Sequence, residues 1–209
     1  MTTPPDIWLS TPTPPRRQGA PGLFLDRDGV LVKEVNYLKN KEDVALETGA
    51  AEIVAWGRAK GFGLVCVTNQ SGIARGLISW AEFEAVEMEI ARQLREQEGT
   101  LDLTLACPFH PDFTDGYGPE QDRWRKPGPA MIEHGAALMG LDLAKSWLVG
   151  DKAADIEAAK RAGLKGAVIV ATGYGAEERE AAMAQESKGF TVLSAATLDE
   201  ARALLEMAF

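Results

Sequence analysis

The chain has 209 residues, 45% of them hydrophobic and 25% charged, which is enough for one well-buried core and excludes general disorder. Asp and Glu number 31 against 22 Lys and Arg, a formal net charge of -9 that offers no basic field to a nucleic-acid backbone or an anionic membrane surface. The two cysteines, Cys66 inside the apolar run Gly-Leu-Val-Cys-Val and Cys107 before a proline, do not form a disulfide scaffold. No apolar run reaches the roughly 20 residues that a bilayer span needs. The first residues also lack the charged-then-apolar order of a signal peptide, so a cytoplasmic location is expected.

Six prolines fall within residues 1–22, and residues 1–20 are read as an extended Pro-rich arm lying on the surface or partly disordered. A folded unit is expected over residues 21–209. From Pro21 onward, apolar runs alternate with segments of helical period. Leu23–Leu25, Leu64–Val67 and Leu101–Ala106 read as strands, separated by helices over Ala50–Ala59 and Trp80–Leu94. The second half repeats the pattern: a helix over Pro129–Met139, a strand over Ser146–Val149, a helix over Ala153–Ala162, a strand over Ala167–Val170, then extended and helical pieces through Ala201–Leu205. Such alternation predicts an α/β, Rossmann-like three-layer sandwich with a mostly parallel sheet.

In that architecture ligands bind beyond the carboxyl ends of the strands, so residues that close apolar runs are the first candidates. Asp26-Arg27-Asp28-Gly29 follows the first run, Thr68-Asn69-Gln70-Ser71-Gly72 the second, and Gly150-Asp151-Lys152 a later one. A turn at Asp26 can bring the Asp26 and Asp28 carboxylates to one pocket, and Asp151 would project to the same edge. An oxygen-rich set of this kind suits Mg2+, although turns and helix caps also favour aspartate. Thr68, Asn69, Lys126 and Lys152, with Arg125 beside them, supply a hydroxyl, an amide and cations able to hold phosphoryl oxygens. Pro127 and Pro129 stiffen the approach to the next helix and could fix the direction of Lys126.

The segments Asp26–Val30 (DRDGV), Val67–Gly76 (VTNQSGIARG), Arg125–Met131 (RKPGPAM) and Val149–Ala159 (VGDKAADIEAA) resemble, in order and spacing, the four motifs of the haloacid dehalogenase (HAD) superfamily. The resemblance runs from about Leu23 to Thr172 and is nearer to the heptose bisphosphate phosphatase and histidinol phosphatase branch. It implies a HAD-like phosphatase domain in which Asp26 is the nucleophile and Asp28 the general acid and later base. Mg2+ would be bound by Asp26, Asp28 through its backbone carbonyl, and Asp151. Thr68 and Lys126 would stabilise the phosphoryl group; Asn69, Gln70, Ser71 and Gly72 would line the substrate, and Arg125 and Lys152 would contact its distal parts. Glu34, Val35, Asn36 and Tyr37 match a substrate-contacting segment. The implied partner is a small phosphorylated substrate such as a sugar phosphate; a monomer or weak homo-oligomer is expected.

Two departures qualify the resemblance. The branch usually carries a zinc loop before the Arg-Lys-Pro motif, with Cys-x-His and then Cys-x-Cys. Here Phe109 stands at the histidine position, and Asp122 and Trp124 replace the later cysteines. Cys107 with His110 offers at most two of the four ligands a structural zinc needs, so zinc is expected to be absent. The excursions after the first and third strands are too short for a separate cap domain, which predicts an open site. The remaining alternatives are a histidinol-phosphate phosphatase, or a non-catalytic sugar-phosphate binder, against which the assembled nucleophile and acid argue. A dinucleotide site is weaker, since Gly173-Tyr174-Gly175 lacks the third glycine of that fingerprint.

Overall fold

A computed structural model describes residues 6–208. Seven strands form one sheet: β1 (Trp8–Leu9), β2 (Pro21–Leu25), β3 (Gly63–Asn69), β4 (Leu103–Cys107), β5 (Asp142–Gly150), β6 (Gly166–Val170) and β7 (Thr191–Ala195). Their order across the sheet is β1-β4-β3-β2-β5-β6-β7. All neighbours pair in parallel except β1, which runs antiparallel along β4 with Trp8 opposite Ala106. After β1 at the edge, the chain enters the sheet near its centre at β2, steps outward through β3 to β4, returns to the other side of β2 as β5, and steps outward again.

Eight α-helices accompany the strands among the described residues: α1 (Ala50–Ala59), α2 (Ser71–Ala74), α3 (Trp80–Glu96), α4 (Pro119–Trp124), α5 (Ala130–Met139), α6 (Ala153–Arg161), α7 (Gly175–Met183) and α8 (Leu198–Ala208). The central strands are buried on both faces, so they read as unbroken apolar runs, and alternate residues serve opposite layers. Phe24, Val65, Val67, Leu148, Ala167 and Ile169 pack with Met131, Ile132, Ile156 and Ala159 from α5 and α6. Leu23, Leu25, Leu64, Cys66, Trp147 and Val168 pack on the other face with Ile53, Val54, Ile90, Leu94 and Leu205 from α1, α3 and α8. The expected three-layer α/β sandwich is what forms. No helix among the described residues is long and apolar enough to cross a membrane.

Within residues 6–20, read from the sequence as an arm, β1 joins the sheet edge, and Ile7 is buried in the core under α5 and α6. The Trp8 ring meets Phe83 of α3 edge-on at 5.1 Å between centroids, and Arg17 pairs with the buried Asp102 at 3.1 Å. Met1 to Pro5 lie outside the described residues. β5 begins at Asp142, earlier than the apolar run suggests, because Asp142 pairs with Pro21 at the lower end of the sheet, ahead of a register shift. Neither excursion holds a separate domain. The first, between β2 and α1, carries a 3-10 turn at Lys41–Asp43 and a bridge from Val32 to Leu46. The second, between β4 and α5, carries only α4.

Candidate active site

β2 and β5 are hydrogen-bonded neighbours, and they belong to the two halves of the sheet that wind in opposite directions. The crevice beyond their carboxyl ends is thus the topological switch point, where ligands of such sheets bind. The register sets Leu25 beside Val149, and the Asp26 amide donates to the Val149 carbonyl at 3.0 Å. Asp26 and Asp151 consequently leave adjacent strands side by side.

Asp26 is buried. Its Oδ1 accepts from the Arg27 amide at 2.7 Å and lies 2.8 Å from Lys126 Nζ, which leaves Oδ2 without a hydrogen bond. Lys126, also buried, reaches Asp155 Oδ1 at 2.6 Å and donates to the Val67 carbonyl at 2.8 Å. Burial works against its charge, yet Asp155 and Asp26 outweigh burial and hold the ammonium above its ordinary pKa. Asp155 in turn accepts from the Lys152 amide through Oδ2 at 3.0 Å. One carboxylate thereby caps α6 and aims the lysine. The structure brings in Asp155 as a site residue that the strand-end criterion missed, since it lies in the first turn of α6.

Oxygens of Asp26, Asp151 and Asp155 lie within 4.8 Å of one another. Both oxygens of Asp155 are already engaged, so the free donors are on Asp26 and Asp151. Asp151 Oδ2 accepts from the Tyr174 amide at 2.9 Å, whereas Oδ1 is buried with no hydrogen-bond partner. Burial, with the neighbouring charge of Asp155, raises Asp26 to about 6. Burial, with the charges of Asp26 and Asp155, raises Asp151 to about 8. A buried carboxylate oxygen with no hydrogen-bond partner, set among like charges, is a donor suited to a hard cation, and the donor set fits Mg2+.

Asp28 faces the same crevice. The Arg27 guanidinium donates from Nε and Nη2 to both Asp28 oxygens at 2.9–3.2 Å. Gln70 Nε2 donates to Asp28 Oδ2 at 2.9 Å and to Thr68 Oγ1 at 2.8 Å. Asn69 clamps the backbone of Lys126: its amide donates to the Lys126 carbonyl at 2.9 Å, and its oxygen accepts from the Lys126 amide at 3.0 Å. The amides of Asn69 and Gln70 are therefore committed to holding neighbours in place.

Two cavities meet over these groups. An inner one of about 230 Å3 is lined by Asp26, Asp28, Thr68, Asn69, Ser71, Arg125, Lys126, Lys152, Ala154 and Asp155. An outer one of about 340 Å3 shares Asp28, Asn69, Ser71 and Lys152 and adds Arg27, Glu34, Val35, Asn36, Tyr37, Leu38, Gln70, Gly72, Ile78 and Tyr174. Every sequence candidate is thus in one of the cavities or, for Asp151, beside Asp26. Lys152 Nζ sits 4.4 Å from the Tyr174 ring centre and 4.0 Å from Glu34 Oε2. Burial, then the charge of Asp28, raises the Glu34 carboxyl.

The loop after β4 is ordered by packing. Trp124 is buried edge-on to His134 at 5.4 Å. Arg125 donates to the Phe109 carbonyl at 2.9 Å. His110 Nε2 lies 3.0 Å from Arg75 Nη2, and Arg75 stacks 4.1 Å from the Phe113 ring centre. Burial pushes the Cys107 thiol up to about 12, so it behaves as a small apolar side chain.

Comparison with known proteins places this geometry in a family. A HAD-hydrolase-like family model matches residues 123–198. D-glycero-beta-D-manno-heptose-1,7-bisphosphate 7-phosphatase of Mesorhizobium japonicum is 38% identical over 169 residues, 78% of this chain and 75% of the relative. D-glycero-D-manno-heptose-1,7-bisphosphate 7-phosphatase of Chlorobaculum tepidum is 37% identical, over 77% of this chain and 83% of the relative. Among solved structures, D,D-heptose 1,7-bisphosphate phosphatase of B. bronchiseptica, complexed with magnesium and phosphate, superposes with a TM-score of 0.76 at 30% identity, covering 90% of this chain and 99% of that one. With a doubly wound sheet, carboxylates at its switch point and relatives of this closeness, the chain belongs to the HAD-like hydrolases and is a phosphatase.

Proposed function

We propose that this phosphatase is Mg2+-dependent, works through a phosphorylated Asp26, and removes the 7-phosphate of D-glycero-D-manno-heptose 1,7-bisphosphate. The observation that carries the reading is Asp26 Oδ2, free of hydrogen bonds while its partner oxygen is held by Lys126 and the Arg27 amide, beside a carboxylate with an orphaned oxygen. Asp26, the Asp28 carbonyl and Asp151 would hold Mg2+. When bound there, the ion offsets the charge between an anionic phosphoryl group and an anionic nucleophile.

A carboxylate oxygen of Asp26 attacks phosphorus, the bond from phosphorus to the leaving oxygen breaks, and Asp28 gives that oxygen its proton. Water then attacks the aspartyl phosphate and yields a proton to Asp28; the bond from phosphorus to Asp26 breaks and inorganic phosphate leaves. The Thr68 hydroxyl donates to one of the non-reacting oxygens, and the Lys126 charge beside Asp26 offsets the charge on those oxygens through both displacements. The outer cavity, with Glu34, Asn36 and Lys152, would take the polyol and its distal phosphate, and Arg125 lies at the inner wall for the same group. The relatives' substrates support the choice of a heptose bisphosphate.

Phosphate release from heptose 1,7-bisphosphate, histidinol phosphate and simpler sugar phosphates, with Mg2+ and then with a chelator, tests the reading. Release should be greatest for the heptose bisphosphate and should stop on chelation; preference for histidinol phosphate would reassign the substrate. Asp26→Asn should lower kcat by roughly 10⁴-fold or more with the fold intact, the scale of losing a group that acts as a unit with its partners.

A further inference from the structure

Arg27 stands between two catalytic aspartates, and its side chain is nevertheless 2% exposed. Its Nη1 donates to Glu87 Oε1 of α3 at 3.1 Å, while Nε and Nη2 grip Asp28. The guanidinium carbon lies 5.4 Å from the Phe83 ring centre, and Phe83 and Glu87 are one helical turn apart on the same face of α3. Glu87 is itself buried, the exception in a helix whose other glutamates lie toward solvent. Burying a guanidinium between two carboxylates gives up hydration that an apolar contact would not, so packing alone is a weak reason for it. The fork does fix one thing well: a planar donor set anchored at Nη1 leaves Asp28 one orientation, with Oδ2 turned to Gln70 and the crevice.

We propose that Glu87 is a positioning residue for the reaction: it anchors the Arg27 guanidinium, which holds the Asp28 carboxyl where it can exchange a proton with the leaving oxygen and with water. The inference rests on the roles given to Asp26 and Asp28 above. A misplaced acid slows departure of an alkoxide, which needs a proton, but leaves a nitrophenolate able to depart without one.

Glu87→Ala should lower kcat on heptose 1,7-bisphosphate, whose leaving group is an alkoxide, by roughly tenfold, a fraction of the full acid-base contribution, with KM within about twofold, since substrate binding is not the interaction removed. The first-turnover release of nitrophenolate from p-nitrophenyl phosphate should stay near the wild-type rate. Glu87→Gln, which keeps an acceptor for Nη1, should recover most of the loss. Equal losses on both substrates, or no loss on either, would overturn the positioning role. Should Glu87→Ala not fold, Arg27→Lys carries the same comparison, keeping the charge without the fork, and is expected to lose kcat on the sugar phosphate but not the first-turnover release of nitrophenolate. Wild-type enzyme that releases no phosphate from either ester would instead bring down the functional reading itself.

Discussion

Asp151 is surrounded at its tip by glycine. A Cβ on Gly29 would stand 2.5 Å from Asp151 Oδ2, and one on Gly173 only 2.2 Å away; both residues have positive φ, +82° and +55°. The two glycines let the strand-end loops close over the carboxylate, which no L side chain would permit. Gly173→Ala should therefore displace Asp151 and weaken Mg2+ affinity by roughly tenfold, the effect typical of disturbing the support of a ligand. A Mg2+ titration followed by the rise in Tm would read it, and unchanged affinity would mean that Asp151 does not hold the ion. At this scale Asp26, Asp28, Thr68 and Asp151 were legible because each closes an apolar run. Glu87 was not, since α3 carries five glutamates and no sequence mark distinguishes the one that turns inward. Arg27 was hidden for a related reason: in isolation, an arginine between two aspartates reads as a solvated charge.

Among elements, the pairing of β2 with β5 does most to make the site. It sets Asp26 beside Asp151 at the buried strand ends, where burial, with the charge of Asp155, raises Asp26 to about 6, and burial, with the charges of Asp26 and Asp155, raises Asp151 to about 8. A carboxyl raised on folding binds its proton more tightly in the native state, so in the metal-free protein the contribution of these two groups to stability is greatest at the acid end and falls as pH rises through that window. A cation at the site must displace those protons. The increase in Tm on adding Mg2+ should thus grow from about pH 5.5 to about pH 8; an increase independent of pH would show that the two carboxyls are already ionised without metal. Strand interiors were readable from apolar content, but strand ends were not. β5 extends to Asp142 through Ala-Lys-Ser, because pairing with Pro21 requires backbone and places no demand on side-chain polarity.

For the molecule as a whole, alternation of apolar runs with helical segments made the three-layer sandwich legible, since strands covered on both faces cannot be written with polar residues. Strand order was not legible, because it depends on which contacts distant segments make. The order puts the switch point between β2 and β5 and leaves both excursions without a domain of their own, so the cavities open directly to solvent with no cap to move. β1 was missed outright: two residues are too short for periodicity, and their partner lies in the third of the predicted strands.

That two-residue strand has a consequence for solubility. Along β4 it occupies, at Trp8 and Leu9, the edge that would otherwise present unpaired amides and carbonyls from an apolar strand, Leu-Thr-Leu-Ala-Cys. An open edge of that composition is a template for another chain. A chain beginning at residue 11 should keep its phosphatase site and yet sediment as concentration-dependent assemblies at low salt and high salt alike, because strand addition uses backbone pairing that ions do not screen. A short tail that touches no catalytic group would then be what keeps one copy from pairing with the next.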